Sequence, residues 1–210
     1  MRITYLFDPL CGWCYGASPV VEKLSQLDGV TLNLAPTGLF AGDASRPMDS
    51  HFAAYAWQND QRIARLTSQP FSEAYREQVL GSTGGLFDSA PATLGLVAAG
   101  LTEPAHELEA LKALQRARYQ DGRNNSDLKV VAEILAELGF TEAARRLQSP
   151  DEELLDTYRN RVSAARADMA RFGAEGVPAL IVDRDGDQRL MRASALFGAF
   201  DALASQLHAA

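Results

Sequence analysis

Hydrophobic positions open the chain as a short run, Ile3-Thr4-Tyr5-Leu6-Phe7, that stops at Asp8-Pro9. Apolar, β-branched and aromatic residues in a run of this length suit a buried strand, and proline cannot continue a sheet ladder. The period then changes. From Gly12 to Leu27 the apolar residues Val20, Val21, Leu24 and Leu27 recur at helical spacing. Pro19 is expected to bend this helix one to two turns after its start, and Asp28-Gly29 to end it. Val30, Leu32 and Leu34 next alternate with Thr31 and Asn33, the period of a strand with one buried face, until Pro36. The opening therefore reads β-α-β.

Between about His51 and Leu147 the pattern becomes helical throughout. One stripe is Leu94, Val97 and Leu101, a second Leu108, Leu111 and Leu114, and a third Leu128, Val131, Leu135 and Leu138. Ser89 ahead of Pro91 and Ser126 ahead of Leu128 predict helix starts, and Gly139 a helix end. Ser149-Pro150-Asp151-Glu152 predicts a capping box with Ser149 as cap. The helix behind it carries Leu154, Tyr158, Val162, Ala165, Met169 and Phe172 and ends at Gly173. Ala179 to Val182 reads as a strand, Asp185-Gly186 as a hairpin turn, and Arg189 to Met191 as the returning strand. A last helix takes Leu196, Phe200, Leu203 and Leu207.

The element order is β-α-β, then α-β-β-α, interrupted by an all-helical insertion, which predicts an α/β fold. Residues 1–47 and 148–210 form the discontinuous α/β domain in this reading, and residues 48–147 the insertion. No internal repeat or low-complexity linker is visible.

At 210 residues and 47% hydrophobic, the chain can bury a core without disulfides or metals. Lys plus Arg number 20 against 27 Asp plus Glu, a formal charge of -7, with no basic block. Nucleic acid and anionic membrane are therefore excluded as expected partners. No apolar run reaches the ~18 residues of a membrane span. The sequence arrives at Cys11 with no charged and apolar leader before it, so with Met1 as the native start the expected location is the cytosol. Only two cysteines are present, Cys11 and Cys14. In a reducing compartment such a pair points to catalysis or metal binding rather than a structural staple.

Cys11-Gly12-Trp13-Cys14 lies where the first strand turns into the first helix. Unpaired N–H groups and the positive end of the helix dipole favour a thiolate on the first sulfur. Cys11 is therefore the expected attacking thiol and Cys14, almost one turn later, the resolving one. Gly12 and Trp13 are expected to contact substrate. Gly176-Val177-Pro178 precedes the third strand, where a cis Val177-Pro178 bond would turn the Val177 backbone toward the sulfurs to pair with a substrate chain.

Asp8 is a candidate proton acceptor for Cys14, although an ordinary strand-end turn role is the stronger expectation. Phe52, Tyr55 and Trp57 could line a cleft over the dithiol, but aromatic residues at this spacing are more often core; Gly38-Leu39-Phe40, after the second strand, is a further candidate for the same cleft. His51, His106 and His208 are assigned no role, and no second CxxC or CxxC-HxxxH spacing offers a zinc site.

Asp8 to Gly16, the long helical insertion and Gly176-Val177-Pro178 together resemble the DsbA family of thioredoxin-like proteins, in particular its cytosolic branch related to FrnE. The similarity spans essentially the whole chain, and Gln115 to Arg123 also resembles the family's segment inside the insertion. The resemblance implies a thiol:disulfide oxidoreductase with a cis proline beside the dithiol and no bound cofactor. Its expected partners are a thiol- or disulfide-containing protein or small molecule, with glutathione or a thioredoxin system as redox partner, and a homodimer is left open. Gly12-Trp13 replaces the Pro-His of periplasmic DsbA, so a moderate potential is expected. The same architecture also resembles kappa-class glutathione transferases and 2-hydroxychromene-2-carboxylate isomerases. Those relatives generally use a single serine at the first position, so the retained Cys14 counts against that alternative. A CxxC metal-binding module is the remaining one.

Overall fold

The computed structural model describes residues 1–82 and 84–208, with the side chain of His208 outside the described set. Strand β1 (Arg2–Phe7) lies inside a four-stranded sheet of order β2-β1-β5-β6. It runs parallel to β2 (Thr31–Pro36) and antiparallel to β5 (Ala179–Arg184), which pairs in turn with antiparallel β6 (Asp187–Met191). A parallel neighbour requires a crossover, supplied by α1 (Gly12–Ser25). Ile3, Tyr5 and Phe7 face the main core, while Leu6 packs on the other side with Ala35, Ala179, Ile181 and Ala165. Burial on both faces explains why the first strand reads as an unbroken apolar run.

The first helix is continuous across Pro19. Proline removes the N–H that would have served the Tyr15 carbonyl one turn earlier. Gln69 Nε2 donates to that oxygen instead at 3.4 Å.

The segment between the two halves of the sheet contains α2 (Ser50–Thr67), a π-helical turn (Tyr75–Leu80), α3 (Ala90–Thr102), α4 (Glu107–Tyr119), α5 (Leu128–Glu137) and α6 (Thr141–Gln148). One departure from an all-helical insertion is β4 (Leu86–Phe87), which pairs with β3 (Arg46–Pro47). Two residues are too short to carry a period, so the pattern could not show them.

Two caps differ from expectation, each because a carboxylate outcompetes a nearby serine. Asp127, not Ser126, caps α5 by accepting from Lys129 N at 2.8 Å. Asp151, not Ser149, caps α7 (Glu152–Phe172) by accepting from Leu154 N at 2.8 Å, while Ser149 closes α6. Ser89 is the N-cap of α3 as expected, and its hydroxyl turns to Asp8 instead of capping a backbone N–H. Gly139 and Gly173 end their helices at positive φ as expected, and Asp185 and Gly186 take φ of 53° and 94° in the hairpin turn. Leu196 lies in a 3-10 turn (Ala193–Phe197) ahead of the last helix, α8 (Phe200–His208).

Helix α2 packs closely on the start of α1 across Gly12 and Gly16. A Cβ at Gly16 would sit 2.6 Å from Ile63 Cγ2, an atom fixed by β-branching on a helix. Gly16→Ala is therefore expected to destabilise the protein by about 1–3 kcal/mol in urea titration. An unchanged midpoint would show that α2 yields freely there.

Candidate active site

The chain leaves β1 through a loop organised by Asp8, which is fully buried. Its carboxylate accepts from Leu10 N at 2.9 Å, Phe40 N at 3.3 Å and Ser89 Oγ at 2.7 Å. One side chain thus fixes the cysteine loop, the turn after β2 and the start of α3. Burial raises its pKa, and the three donors oppose that rise. This geometry matches the turn role expected for Asp8 and extends it to a clamp on the insertion. Arg166 of α7 steadies the same region by donating to the Thr37 and Gly38 carbonyls at 2.9 and 2.6 Å.

Cys11 occupies the N-cap of α1, with extended backbone, and Cys14 lies in the first turn. Both thiols are free and buried, Cys14 completely. Burial is the largest cause raising the Cys14 pKa well above its ordinary value, followed by a hydrogen bond with Cys11 and the Cys11 charge. Tyr5 Oη donates to the Cys14 carbonyl at 3.3 Å. The Val177-Pro178 peptide is cis. Cys11 Sγ lies 3.7 Å from the Val177 carbonyl oxygen, so residues far apart in sequence meet at one sulfur.

Cys11, Gly12 and Trp13 form one wall of a pocket of about 230 Å³. The opposite wall comes from the insertion: Phe52, Tyr55, Asn59, Asp60 and Ile63 of α2, then Tyr75, Phe87 and Tyr119, with Phe40 at the edge. Phe52 and Tyr55 therefore line the cleft, where rings at this spacing were expected to serve as core, although Phe52 packs against the core as well; of Gly38-Leu39-Phe40, Phe40 lines it. Tyr55 is 60% exposed, which a core role would not permit. Trp57 lies outside this pocket, beside Tyr75 and under Arg76. Trp13 packs edge-on to Phe197 at 5.2 Å, with the Arg62 guanidinium 5.7 Å from its ring. His51 and His106 are exposed, and neither lines this pocket.

Two of the lining residues, Asp60 and Tyr75, belong with Arg118 to a polar cluster that the sequence pattern did not reveal. Tyr75 Oη donates to Asp60 Oδ2 at 2.9 Å, and Asp60 is 5% exposed. Burial pushes the Asp60 pKa up to about 7, against the lowering effects of the Tyr75 hydrogen bond and the Arg118 charge. The buried Arg118 guanidinium lies 5.3 to 5.8 Å from the rings of Phe87, Tyr75 and Tyr119 and donates to Asn125 Oδ1 at 3.2 Å. Its Nε and Nη2 find no acceptor among the described residues.

Tyr119 Oη donates to the Leu10 carbonyl at 2.7 Å, tying α4 to the residue before Cys11. Arg118 and Tyr119 fall within the Gln115 to Arg123 segment, which thus closes the back of the site. Tyr119→Phe would leave a buried carbonyl unpaired, and a loss of about 1–3 kcal/mol is expected in urea titration. A variant as stable as the parent would show that the carbonyl finds another donor.

A buried CxxC at a helix start, beside a cis proline on a four-stranded sheet with a helical insertion, defines a thioredoxin-fold dithiol protein of the DsbA type. The chain matches the family model described as DSBA-like thioredoxin domain over residues 2–208; it belongs to that family and is a disulfide oxidoreductase. It is similar to the cytosolic disulfide reductase DsbM from Pseudomonas aeruginosa, at 33% identity over the full length of both chains and a TM-score of 0.87. A second structure of that protein, with GSH, is 32% identical, covers 100% of this chain and 98% of that one, and has a TM-score of 0.85. A putative protein disulfide isomerase from Nitrosomonas europaea is 26% identical over 99% of this chain and 96% of that one, with a TM-score of 0.79. A 2-hydroxychromene-2-carboxylate isomerase shares the fold at 16% identity and a TM-score of 0.64. No curated protein sequence matches the chain.

Proposed function

We propose that the chain reduces disulfides in the cytosol by dithiol exchange, with glutathione as its reductant. In this reading residues 1–47 and 148–210 carry the dithiol, and residues 48–147 form the far wall of the substrate cleft. Cys11 attacks one sulfur of the substrate disulfide, forming a mixed disulfide and releasing the other sulfur as a thiol. Cys14 then attacks Cys11 Sγ, releasing the second substrate thiol and closing a Cys11–Cys14 disulfide. Two molecules of glutathione restore the dithiol and leave as glutathione disulfide. Gly12, Trp13, Val177 and Pro178 flank the sulfur and would hold the substrate, the Val177 backbone by pairing with a peptide chain.

The observation that carries this reading is Cys11 at the N-cap of α1, 3.7 Å from the Val177 carbonyl, with fully buried Cys14 behind it. The raised pKa of Cys14 fits a resolving thiol. It is held protonated partly by the hydrogen bond and charge of Cys11, and both influences end once Cys11 is tied up in a mixed disulfide. Those two contributions fall away at the step that needs Cys14, while burial, the largest cause of the raised pKa, remains. Similarity to a cytosolic reductase, one of whose structures is with GSH, supports the direction, the compartment and the reductant.

The test is reduction of a disulfide-bonded reporter protein by glutathione, coupled to glutathione reductase and followed by loss of NADPH. Acceleration over the uncatalysed rate is expected. If thiol reporters were oxidised by glutathione disulfide and disulfide reporters left unreduced, the direction would be reversed.

A further inference from the structure

Resting on the dithiol reading, we propose that Asp60 is the proton donor to the thiol that leaves when Cys11 attacks a substrate disulfide. The leaving sulfur departs as a thiolate, more slowly the higher the pKa of its thiol, so an acid that protonates an alkyl sulfur as the S–S bond breaks would speed its departure. An acid giving that assistance has to stand on the substrate side of Cys11. Asp8 and Cys14 are fully buried behind the loop, so neither faces that side. Asp60 is the carboxyl group among the pocket-lining residues.

Its placement is specific. A Cβ at Gly12 would overlap Asp60 Oδ1, so this oxygen rests against the residue directly after Cys11. The other oxygen, Oδ2, is occupied by the Tyr75 hydroxyl. Tyr75 is kept a neutral phenol by burial, which raises its pKa well above the ordinary value, and its hydroxyl proton is directed at Oδ2. The proton of a neutral Asp60 therefore belongs on Oδ1, the oxygen next to Gly12. Absence of alanine at position 12 is what allows α2 to bring this carboxyl in.

The surroundings suit an acid that works near neutral pH. The titratable and charged groups around Asp60 are Tyr75 from the π-helical turn, Arg118 and Tyr119 from α4, and Cys11 through Gly12 on α1. Arg118 lies behind the aromatic rings and forms no direct ion pair with Asp60, so its charge only moderates the effect of burial. The result is a carboxyl that holds its proton up to about pH 7, where an exposed aspartate would have lost it.

Cys11 thiolate bonds to one substrate sulfur, the S–S bond breaks, and the departing sulfur takes the proton from Asp60, giving a mixed disulfide, a free thiol and Asp60 carboxylate. Solvent entering the pocket returns the proton after the thiol leaves. No electrons beyond those of the exchange are involved.

The experiment is single-turnover reaction of reduced enzyme with two disulfides, comparing the parent with Asp60→Asn. One is an aryl disulfide whose leaving thiol is ionised at neutral pH, the other an alkyl disulfide such as glutathione disulfide. Asparagine fits the same space and still accepts from Tyr75, but cannot give up a proton. The alkyl reaction is expected to slow about 10²-fold in the variant, and the aryl reaction, which needs no acid, by less than about threefold. In the parent the ratio of alkyl to aryl rates should also fall as pH rises through 7, and in the variant it should not. Equal slowing of both substrates, or slowing of neither, would overturn the proton-donor role while leaving the dithiol mechanism standing. Failure of the parent enzyme to react with either disulfide would overturn the dithiol reading and this proposal with it.

Discussion

Replacing Cys11 with serine is expected to cut glutathione-dependent turnover on the order of 10³-fold or more, the scale seen when an enzyme nucleophile is removed. A hydroxyl at the N-cap of α1 is not ionised at neutral pH, and no second thiol is positioned beside Val177 to take over. Cys14→Ser should behave differently. Its Cys11 still attacks, but nothing inside the protein breaks the mixed disulfide, so a covalent adduct with substrate or glutathione should accumulate one-to-one. Intact mass before and after addition of dithiothreitol measures it. A Cys11→Ser enzyme that turns over, or a Cys14→Ser enzyme at full rate with no adduct, would contradict the assignment of attacking and resolving thiols. The latter result is what a glutathione transferase of the isomerase-like architecture would give.

The second large effect concerns stability. Asp60 has a folded-state pKa of about 7 against 3.8 when exposed. Below about pH 4 it is protonated in both states and contributes no difference. Between these values the folded protein holds a proton that the unfolded chain has lost, so stability falls as pH rises. A rise of roughly three pH units corresponds to about 4 kcal/mol lost by pH 8. Asp60→Asn resembles the protonated form at every pH. Its urea midpoint should therefore vary less between pH 5 and 8 than that of the parent and lie higher at pH 8. Parallel pH profiles for parent and variant would show that Asp60 ionises as an exposed residue does.

The fold was legible where one residue type dictates one geometry. Doubly buried β1 shows as an unbroken run, α1 and the later helices as apolar stripes, and Asp185-Gly186 as a turn that needs positive φ. The dithiol and Val177-Pro178 were legible because thiols and prolines have few ordinary uses at such positions. The far side of the cleft was not. Asp60 lies on a helix among Asn59, Gln61 and Arg62, where a carboxylate reads as a solvated face, and only the close approach of α2 across Gly12 and Gly16 buries it. A long-range contact of this kind leaves no periodic trace. Helices α2 and α4 likewise bring Phe52, Tyr55 and Tyr119 into one pocket through packing between elements. One local signal was available: two glycines four apart on α1 mark a face that a neighbouring helix can approach closely. Cap choice failed for a different reason, since serine and aspartate were both present and the carboxylate is the stronger acceptor.

The most direct test of the whole account is equilibration of the reduced protein with glutathione buffers of graded poise, followed by acid quench, thiol blocking and intact mass. One reversible two-electron transition between a free dithiol and an intramolecular Cys11–Cys14 disulfide is predicted. Its potential should lie nearer the about -270 mV of thioredoxin than the about -120 mV of DsbA, as a reductant requires. If no intramolecular disulfide formed at any poise, Cys14 would not resolve Cys11, and the dithiol mechanism would be wrong.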